Sequence, residues 1–217
     1  MSSSSFQALS QTLTRRLIFL ALIFWLPILA FIGLANVVHG RAPLLYDSAV
    51  LTFLQEHRSP GLTGLFSAFT LMGGPGATTV IVAGLTWAFF TNGLSRRGWF
   101  TLVGVGGAVL INLALKLTFK RSRPDLWSAL AQERTYSFPS GHAMASSALA
   151  LTLVILCWPT RYRWWVVAAA LLYTGLVGVS RLYLGVHFPS DVLGGWLISI
   201  AWITLVYALF RRHQGAV

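Results

Sequence analysis

Charged side chains are scarce in this sequence, and acidic ones are the scarcest. Asp, Glu, Lys and Arg together make up 10% of the 217 residues, and only five residues are acidic. A typical soluble domain contains about 25% charged residues. A soluble protein of this length needs more polar surface to stay dispersed, so the composition argues against a water-soluble domain.

Cysteine is nearly absent as well. The single one, Cys157, excludes an internal disulfide. It lies in an apolar run without an acid or base near it in sequence. We therefore expect a buried, unreactive thiol.

Apolar residues are abundant instead, at 56% of the chain with 20 glycines in addition. They form six runs whose lengths approach the roughly 20 residues that a helix needs to cross a bilayer. The runs show no polar–apolar alternation, and open strands would leave backbone groups unpaired in lipid. We therefore predict an all-α integral membrane protein, a single domain over residues 1–217, with six transmembrane helices at residues 17–35, 75–90, 99–115, 143–158, 164–182 and 192–210.

The start of the second span is interrupted. Apolar character begins near Leu62, but the run Gly73-Gly74-Pro75-Gly76 breaks it. We predict short helices at the membrane surface over residues 44–72, then a break and a crossing helix, with one long kinked helix as the alternative. The first span is longer than the apolar core of a signal peptide and lacks a cleavage site, so we expect it to be retained.

The few charges are mostly cations, with 16 Lys and Arg giving a net charge of +11. A nucleic-acid-binding protein would need a polar basic face, whereas these cations lie in short clusters between apolar runs, which favours a membrane setting without nucleic acid. In a six-span topology, eight arginines and no acid fall on one side, which the positive-inside rule makes cytoplasmic, together with both termini. These are the pairs Arg15/Arg16, Arg96/Arg97, Arg161/Arg163 and Arg211/Arg212.

The opposite, outer side carries the other eight cations and all five acids, and the positive-inside rule does not explain so many cations there. Three stretches on this side stand out: residues 116–124 (K-L-T-F-K-R-S-R-P), 139–142 (P-S-G-H) and 180–191 (S-R-L-Y-L-G-V-H-F-P-S-D). The topology places all three at one membrane face. The outer cations are Arg41, Arg58, Lys116, Lys120, Arg121, Arg123, Arg134 and Arg181, and the acids are Asp47, Glu56, Asp125, Glu133 and Asp191.

The side chains of these stretches suit a phosphate group. Ser140 is a good N-cap and Gly141 permits close approach, so the helix after them would offer N–H groups and a positive dipole end to an anion. Lys116, Arg123 and Arg181 would add three cations around the same point.

Two histidines complete a displacement mechanism. Asp191 would lie in the first turn of the sixth helix, four residues after His187, and would accept the Nδ1–H of that imidazole. Nε2 of His187 would then face phosphorus as the nucleophile. His142 would protonate the departing oxygen and afterwards activate water.

Together the stretches resemble the signature of the type 2 phosphatidic acid phosphatase (PAP2) superfamily, which includes membrane lipid phosphate phosphatases and vanadium-dependent haloperoxidases. The pattern is K-x6-R-P, P-S-G-H and S-R-x5-H-x3-D, and every signature position is matched. The resemblance implies a nucleophile at His187, a charge-relay acid at Asp191 and a general acid at His142. It implies phosphate binding by Lys116, Arg123, Ser140, Gly141 and Arg181.

The resemblance also implies a phosphohistidine intermediate without a metal or other cofactor. The sequence agrees, since it has no cluster of acids suited to Mg²⁺, and we expect Asp125 and Glu133 to be loop charges. Lys120 and Arg121 lie inside the spacer of the first motif, where they contact a lipid headgroup or face solvent. The other histidines, His39, His57 and His213, are expected to be surface residues.

We therefore expect a phosphatase of a lipid phosphate or pyrophosphate at the outer face of a bacterial-type plasma membrane. Candidate substrates are phosphatidylglycerophosphate, undecaprenyl pyrophosphate, phosphatidate and diacylglycerol pyrophosphate. A phosphotransferase of the same family is an alternative, because it would pass the phosphoryl group to another lipid. Six spans disfavour a haloperoxidase, and a lipid or anion transporter would leave His142 and the His187–Asp191 pair unexplained.

Overall fold

The computed structural model describes residues 3–39, 44–125, 130–131, 133 and 135–212, without the side chains of residues 3–13, 15–17 and 212. Arg41, Arg134 and His213 lie outside these residues. Helices supply all the regular structure of the described part: α1 (Ser3–His39), α2 (Leu45–Glu56), α3 (Pro60–Met72), α4 (Pro75–Thr91), α5 (Ser95–Thr101), α6 (Gly107–Phe119), α7 (Gly141–Cys157), α8 (Arg163–Tyr183) and α9 (Pro189–Arg212). A π-helical segment, Leu102–Gly106, joins α5 to α6.

Each predicted span coincides with a helix, and the predicted all-α class is confirmed. Four stretches are long and apolar enough to cross a bilayer: Ile18–His39 in α1, Ser95–Phe119 from α5 to α6, Arg163–Tyr183 and Pro189–Arg211. The α3–α4 pair passes the same test as one bent unit, which makes five. Helix α7 is apolar but shorter, at 17 residues.

The break predicted before the second span is present. Helix α3 begins with Ser59 as its N-cap and Pro60 in its first turn, and it ends at Met72 with Gly73 as its C-cap. Helix α4 restarts at Pro75, where the missing N–H and the fixed φ of proline suit a first helical position. The two axes differ by 42°. Helices α2 and α3 are the short helices expected over residues 44–72.

Helix α7 lies at the centre of the bundle, packed against α8, α9 and the α5–α6 helix, while α1 packs along α9. Small residues allow this approach: a Cβ on Gly195 of α9 would lie 2.9 Å from the backbone oxygen of Ser140. The rings of Phe31 and Phe138 stack with centroids 5.5 Å apart, within a core that includes Met144. The close packing holds the first turn of α7 against the first turns of α9.

The outward faces of the helices are apolar. Trp165 and Leu171 on α8 expose 77% and 70% of their surface, and Trp25 and Leu110 are exposed on other helices. Large exposed apolar surfaces are costly in water but cost nothing against lipid tails. The exterior therefore suits a bilayer.

Candidate active site

The three motif stretches come together at one end of the bundle. They occupy the C-terminal end of α6, the first turn of α7 and the connection from α8 to α9. Hydrogen bonds link the elements directly: the Ser140 N–H donates to the Asp191 carbonyl over 3.0 Å, and Lys116 Nζ donates to the Tyr136 carbonyl. The convergence expected from topology is thus present in the fold.

His187 and Asp191 form a buried pair at the start of α9. His187 Nδ1 lies 3.3 Å from Asp191 Oδ2, and both side chains are fully enclosed. The Phe188 N–H donates to the same carboxylate oxygen over 2.9 Å, and the Ser137 hydroxyl also donates to it. Pro189 begins the helix, so the i, i+4 spacing brings the carboxylate back beneath the imidazole.

The other ring nitrogen of His187 faces Arg123. Arg123 Nη1 donates to Nε2 over 3.2 Å and to the Val186 carbonyl over 2.7 Å. Because a guanidinium group has only donors, Nε2 must carry the lone pair and the proton lies on Nδ1, toward Asp191. Burial lowers the pKa of His187 to about 4, although Asp191 favours the charged form. The imidazole is therefore neutral at pH 7, with the tautomer that a nucleophilic Nε2 requires.

Arg123 and Lys116 are held by the segment that precedes α7. Arg123 Nε donates to the Thr135 carbonyl over 2.8 Å, and Lys116 Nζ donates to the Thr135 hydroxyl over 3.0 Å. Burial lowers the pKa of Arg123, and Glu133 and Asp191 oppose that effect. The two cations of the first motif are thus fixed in orientation beside His187.

Arg181 is the most deeply buried of the site cations, with 1% of its side chain exposed. Its guanidinium donates to Thr70 of α3 and to Glu133. Its Nε is buried without a partner among the described residues. Glu133 also lies 3.7 Å from Arg123 Nη2, so the two arginines flank one carboxylate.

Glu133 is a charge in an irregular segment, and it pairs with two cations of the first and third motifs. Burial alone would raise the pKa of Glu133, but Arg181 and Arg123 outweigh burial and lower it. This carboxylate is therefore ionised, and it lies between two cations that the sequence motifs predict to bind phosphate. Its sequence context gave no signal of this, because the contact depends on the tertiary approach of Glu133 to Arg123 and Arg181.

A second layer of charged and polar side chains lies behind Asp191, and no sequence motif marks it. Arg121 Nη1 donates to Asp191 Oδ1 over 2.5 Å, and Arg121 Nη2 donates to Asp47 Oδ2 over 2.9 Å. Ser190 donates to Asp47 through its backbone N–H and its hydroxyl, over 2.9 and 2.5 Å. The guanidinium lies 4.2 Å above the Phe188 ring. Arg121 is thus a bridge between two buried carboxylates and faces neither solvent nor a headgroup.

His142 lies in the first turn of α7, beside the turn between α3 and α4. A Cβ on Gly74 would lie 3.4 Å from His142 Nε2, so this glycine gives the imidazole its space. Glu133, Arg181 and His187 are close enough to act on it electrostatically. The His142 imidazole makes no hydrogen bond to any residue in the described part of the chain.

Ser140 and Gly141 form the helix start that the sequence predicted. Ser140 Oγ accepts from the Ala143 N–H at 3.5 Å, as an N-cap does. Asn112 on α6 donates to the Pro139 carbonyl over 3.0 Å. A Cβ on Gly141 would lie 3.0 Å from Asn112 Oδ1. Asn112 is a further residue that the motifs did not reveal.

Two other residues considered from the sequence, Lys120 and His57, make no described contact with the histidines of the site. Lys120 ends α6 in the left-handed conformation, with φ of 46°. His57 is exposed and hydrogen-bonds to the Phe53 carbonyl over 2.8 Å. Across the described ranges, no three His, Cys, Asp or Glu residues are grouped as metal ligands would be.

The known proteins that this chain resembles are phosphatases. The family model of the PAP2 superfamily matches residues 97–214. The chain is 32% identical over 183 residues to phosphatidylglycerophosphatase B of Bacillus subtilis, covering 82% of this chain and 90% of that one. It is 42% identical over 72 residues to undecaprenyl-diphosphatase of Sulfolobus acidocaldarius, covering 33% of this chain and 32% of that one.

A solved structure shares the fold. The crystal structure of a transmembrane PAP2-type phosphatidylglycerolphosphate phosphatase from Bacillus subtilis superimposes with a TM-score of 0.81 and 28% identity. The match covers 88% of this chain and 97% of that one.

Proposed function

Because the chain belongs to the PAP2 superfamily, we propose that it is a membrane-embedded lipid phosphatase that works through a phosphohistidine at His187. The observation that carries the proposal is the orientation of this imidazole. Nδ1 faces the buried Asp191 carboxylate, and Nε2 faces the Arg123 guanidinium. A phosphate bound by Arg123 would therefore meet the lone pair of Nε2.

The first chemical step transfers the phosphoryl group to the protein. Nε2 of His187 attacks phosphorus, and the bond from phosphorus to the lipid oxygen breaks. That oxygen takes a proton from His142, and Asp191 stabilises the positive charge that develops on the imidazole. The products are the free lipid alcohol, or a lipid monophosphate when the substrate is a pyrophosphate, and phosphohistidine.

The second step returns the protein to its starting state. Neutral His142 takes a proton from water while the water oxygen attacks phosphorus. The bond between phosphorus and Nε2 breaks, and inorganic phosphate leaves. His142 is protonated again and is ready for the next substrate.

Cations and backbone N–H groups would stabilise the phosphoryl oxygens in both steps. Lys116, Arg123 and Arg181 surround the site, and the α7 N-terminus at Ser140 and Gly141 adds its dipole. These charges make a metal ion unnecessary for neutralising the phosphate. An incoming phosphate dianion would displace the Glu133 carboxylate, which occupies the two arginines in the free protein.

The substrate class is a lipid phosphate or pyrophosphate. The similarity to phosphatidylglycerophosphatase B and undecaprenyl-diphosphatase favours phosphatidylglycerophosphate and undecaprenyl pyrophosphate. Phosphatidate and diacylglycerol pyrophosphate carry the same reacting group. A site at the end of an apolar bundle would let the acyl or prenyl chains remain in lipid.

The membrane topology supported best has six spans in one domain. The crossing helices are α1, α4, the α5–α6 helix, α7, α8 and α9, with both termini cytoplasmic and the site on the periplasmic side. Thiol labelling tests this in a Cys157→Ala background. Ser122→Cys should react with an impermeant reagent from outside, whereas Asn92→Cys should react only after permeabilisation; the reverse pattern would invert the topology.

The function is tested by phosphate release from a panel of lipid phosphates in detergent, with EDTA present. We expect turnover that survives EDTA and is lost in His187→Ala. His57→Ala is the matched control, since this exposed histidine lies outside the site. Analysis of the lipid products distinguishes a phosphotransferase, because such an enzyme would transfer the phosphoryl group to a second lipid. Lipid movement without phosphate release would indicate a transporter instead.

A further inference from the structure

A cavity of about 490 Å³ lies at the other end of the bundle from the candidate active site. The turn between α4 and α5 and the C-terminal ends of α7 and α9 form its walls. Helix α7 begins in the active site at Gly141 and reaches the cavity at Ile155, and a helix rises 1.5 Å per residue. The two sites are therefore about 20 Å apart, and one headgroup cannot occupy both.

The cavity, called the basic cavity below, combines an apolar floor with a rim of cations. Among the described residues that line it, none is acidic. The rim arginines make no ion pair with any carboxylate that the structure describes. The floor is formed by Phe100, Leu156 and Phe210 among others, and the rim by Arg96, Arg97 and Arg211.

A second cavity of about 470 Å³ continues the first around α9. The two share Ser95, Arg96 and Phe210, and the second adds Trp99 and Leu209. Trp99 is half exposed, and tryptophan is typical of the interface between headgroups and hydrocarbon. The combined groove thus leads from the arginines to the lipid-facing side of α9.

We propose that the basic cavity binds an anionic phospholipid, with the phosphodiester on Arg96, Arg97 and Arg211 and the glycerol and first acyl carbons on the apolar floor. Guanidinium groups hold phosphate oxygens in paired hydrogen bonds, so uncompensated arginines at the rim suit a diester anion. The volume falls within the range of small-molecule sites. Free phosphate would leave the floor uncovered, which is why the occupant is a lipid. Basic pockets between membrane helices take anionic headgroups in the same way.

Bound lipid would contact three elements at once: the α4–α5 turn, α7 and α9. A ligand that binds only the folded protein stabilises it by mass action. The purified protein should therefore be more heat-stable with an anionic lipid than with a neutral one. The effect should depend on the rim arginines and not on the total charge of this end.

The test uses full-length protein in a neutral detergent, titrated with phosphatidylserine or phosphatidylcholine. Phosphatidylserine is a diester, so it is not a substrate for monoester hydrolysis. Native mass spectrometry counts bound lipid, and thermal unfolding gives the affinity. Arg96→Gln/Arg211→Gln removes two rim charges, and Arg161→Gln/Arg163→Gln removes two from the same end outside the basic cavity. The single variants Arg96→Gln and Arg211→Gln are measured in case the first pair does not fold.

We expect one retained phosphatidylserine, preferred over phosphatidylcholine. Its affinity should fall at least about 10-fold in the rim variant and by less than about 2-fold in the control. Each single rim variant should lose on the order of 3-fold. Phosphate release should persist in the rim variant, which shows that the fold is intact. Equal loss in both double variants, no preference between the lipids, or displacement of the lipid by inorganic phosphate would overturn the proposal.

Discussion

Replacing Arg121 by glutamine should lower kcat by about 10- to 100-fold and leave KM within about 3-fold. The side chain bridges Asp191 and Asp47 behind the imidazole of His187, so its loss frees one oxygen of the carboxylate that orients the proposed nucleophile. A carboxylate that fixes the tautomer of a catalytic imidazole contributes about 10⁴-fold to kcat.

Only part of that factor should be lost, because two donors to Asp191 remain. The Phe188 N–H and the Ser137 hydroxyl still contact Oδ2 in the variant. Partners that orient a functional side chain from behind contribute about 10- to 100-fold in comparable second-layer positions. Arg121→Lys should resemble Arg121→Gln, since one ammonium cannot span both carboxylates. Asp47→Asn should have a smaller effect, since Arg121 keeps its contact with Asp191.

The assay is steady-state phosphate release, combined with a double-mutant cycle. If Arg121 acts through the carboxylate, then adding Arg121→Gln to Asp191→Asn should reduce kcat by less than about 3-fold further. A merely structural role would lower kcat equally in both backgrounds. A rise in KM with kcat unchanged would show that Arg121 binds the substrate directly, and the reasoning about positioning would be refuted.

Three further results are expected. As pH falls, kcat/KM should hold to about pH 5 and then decline, because protonation of His187 near its pKa of about 4 removes the lone pair; an acid limb at pH 6.5 would contradict the buried site. Gly195→Ala should destabilise the protein in detergent by about 1–3 kcal/mol, since the new Cβ would lie 2.9 Å from the Ser140 carbonyl oxygen. Gly175→Ala is the control and should leave stability unchanged, because no atom lies within 4 Å of its Cβ position. Glu133→Gln should tighten vanadate inhibition on the order of a few-fold, and weaker inhibition would oppose its role as an occupant of the anion site.

The low pKa of His187 also has a consequence for stability. In the unfolded chain this imidazole has its ordinary pKa of about 6.5, above the folded value of about 4. The unfolded state therefore binds more protons at acid pH. The contribution of the buried neutral imidazole is complete above pH 6.5 and is lost as pH falls toward 4.

The sequence predicted the features that depend on local spacing. Pro189 begins a helix, so His187 and Asp191 had to meet across its first turn. Ser140 and Gly141 precede an apolar run, so a helix start with N–H groups available to an anion was expected there. Apolar runs of sufficient length predicted the helices. In a bilayer the backbone N–H and C=O groups have no water to bind, so they must hydrogen-bond to one another.

The sequence did not predict the contacts that depend on tertiary approach. Asp47 lies on α2, far from any motif, and reaches Arg121 only because α2 packs beside the start of α9. Glu133 and Thr135 belong to a segment without a regular repeat, and nothing in its composition fixes which donors it meets. Their positions follow from tertiary contacts with Lys116, Arg123 and Arg181.

The cations at the candidate active site and those at the basic cavity differ in how much of each side chain is buried. Arg181 and Lys116 expose 1% and 7%, and burying a cation is costly unless partners and function compensate. Arg96 and Arg97 are exposed and pair with no carboxylate among the residues that the structure describes. In the proposed mechanism the first pair is held in place for a dianion, Arg181 by Glu133 and Lys116 by Thr135 and the Tyr136 carbonyl. The second pair can accept a lipid diester without rearrangement, so the two ends should differ in salt sensitivity: high salt should weaken lipid binding at the exposed rim far more than phosphate binding at the enclosed site.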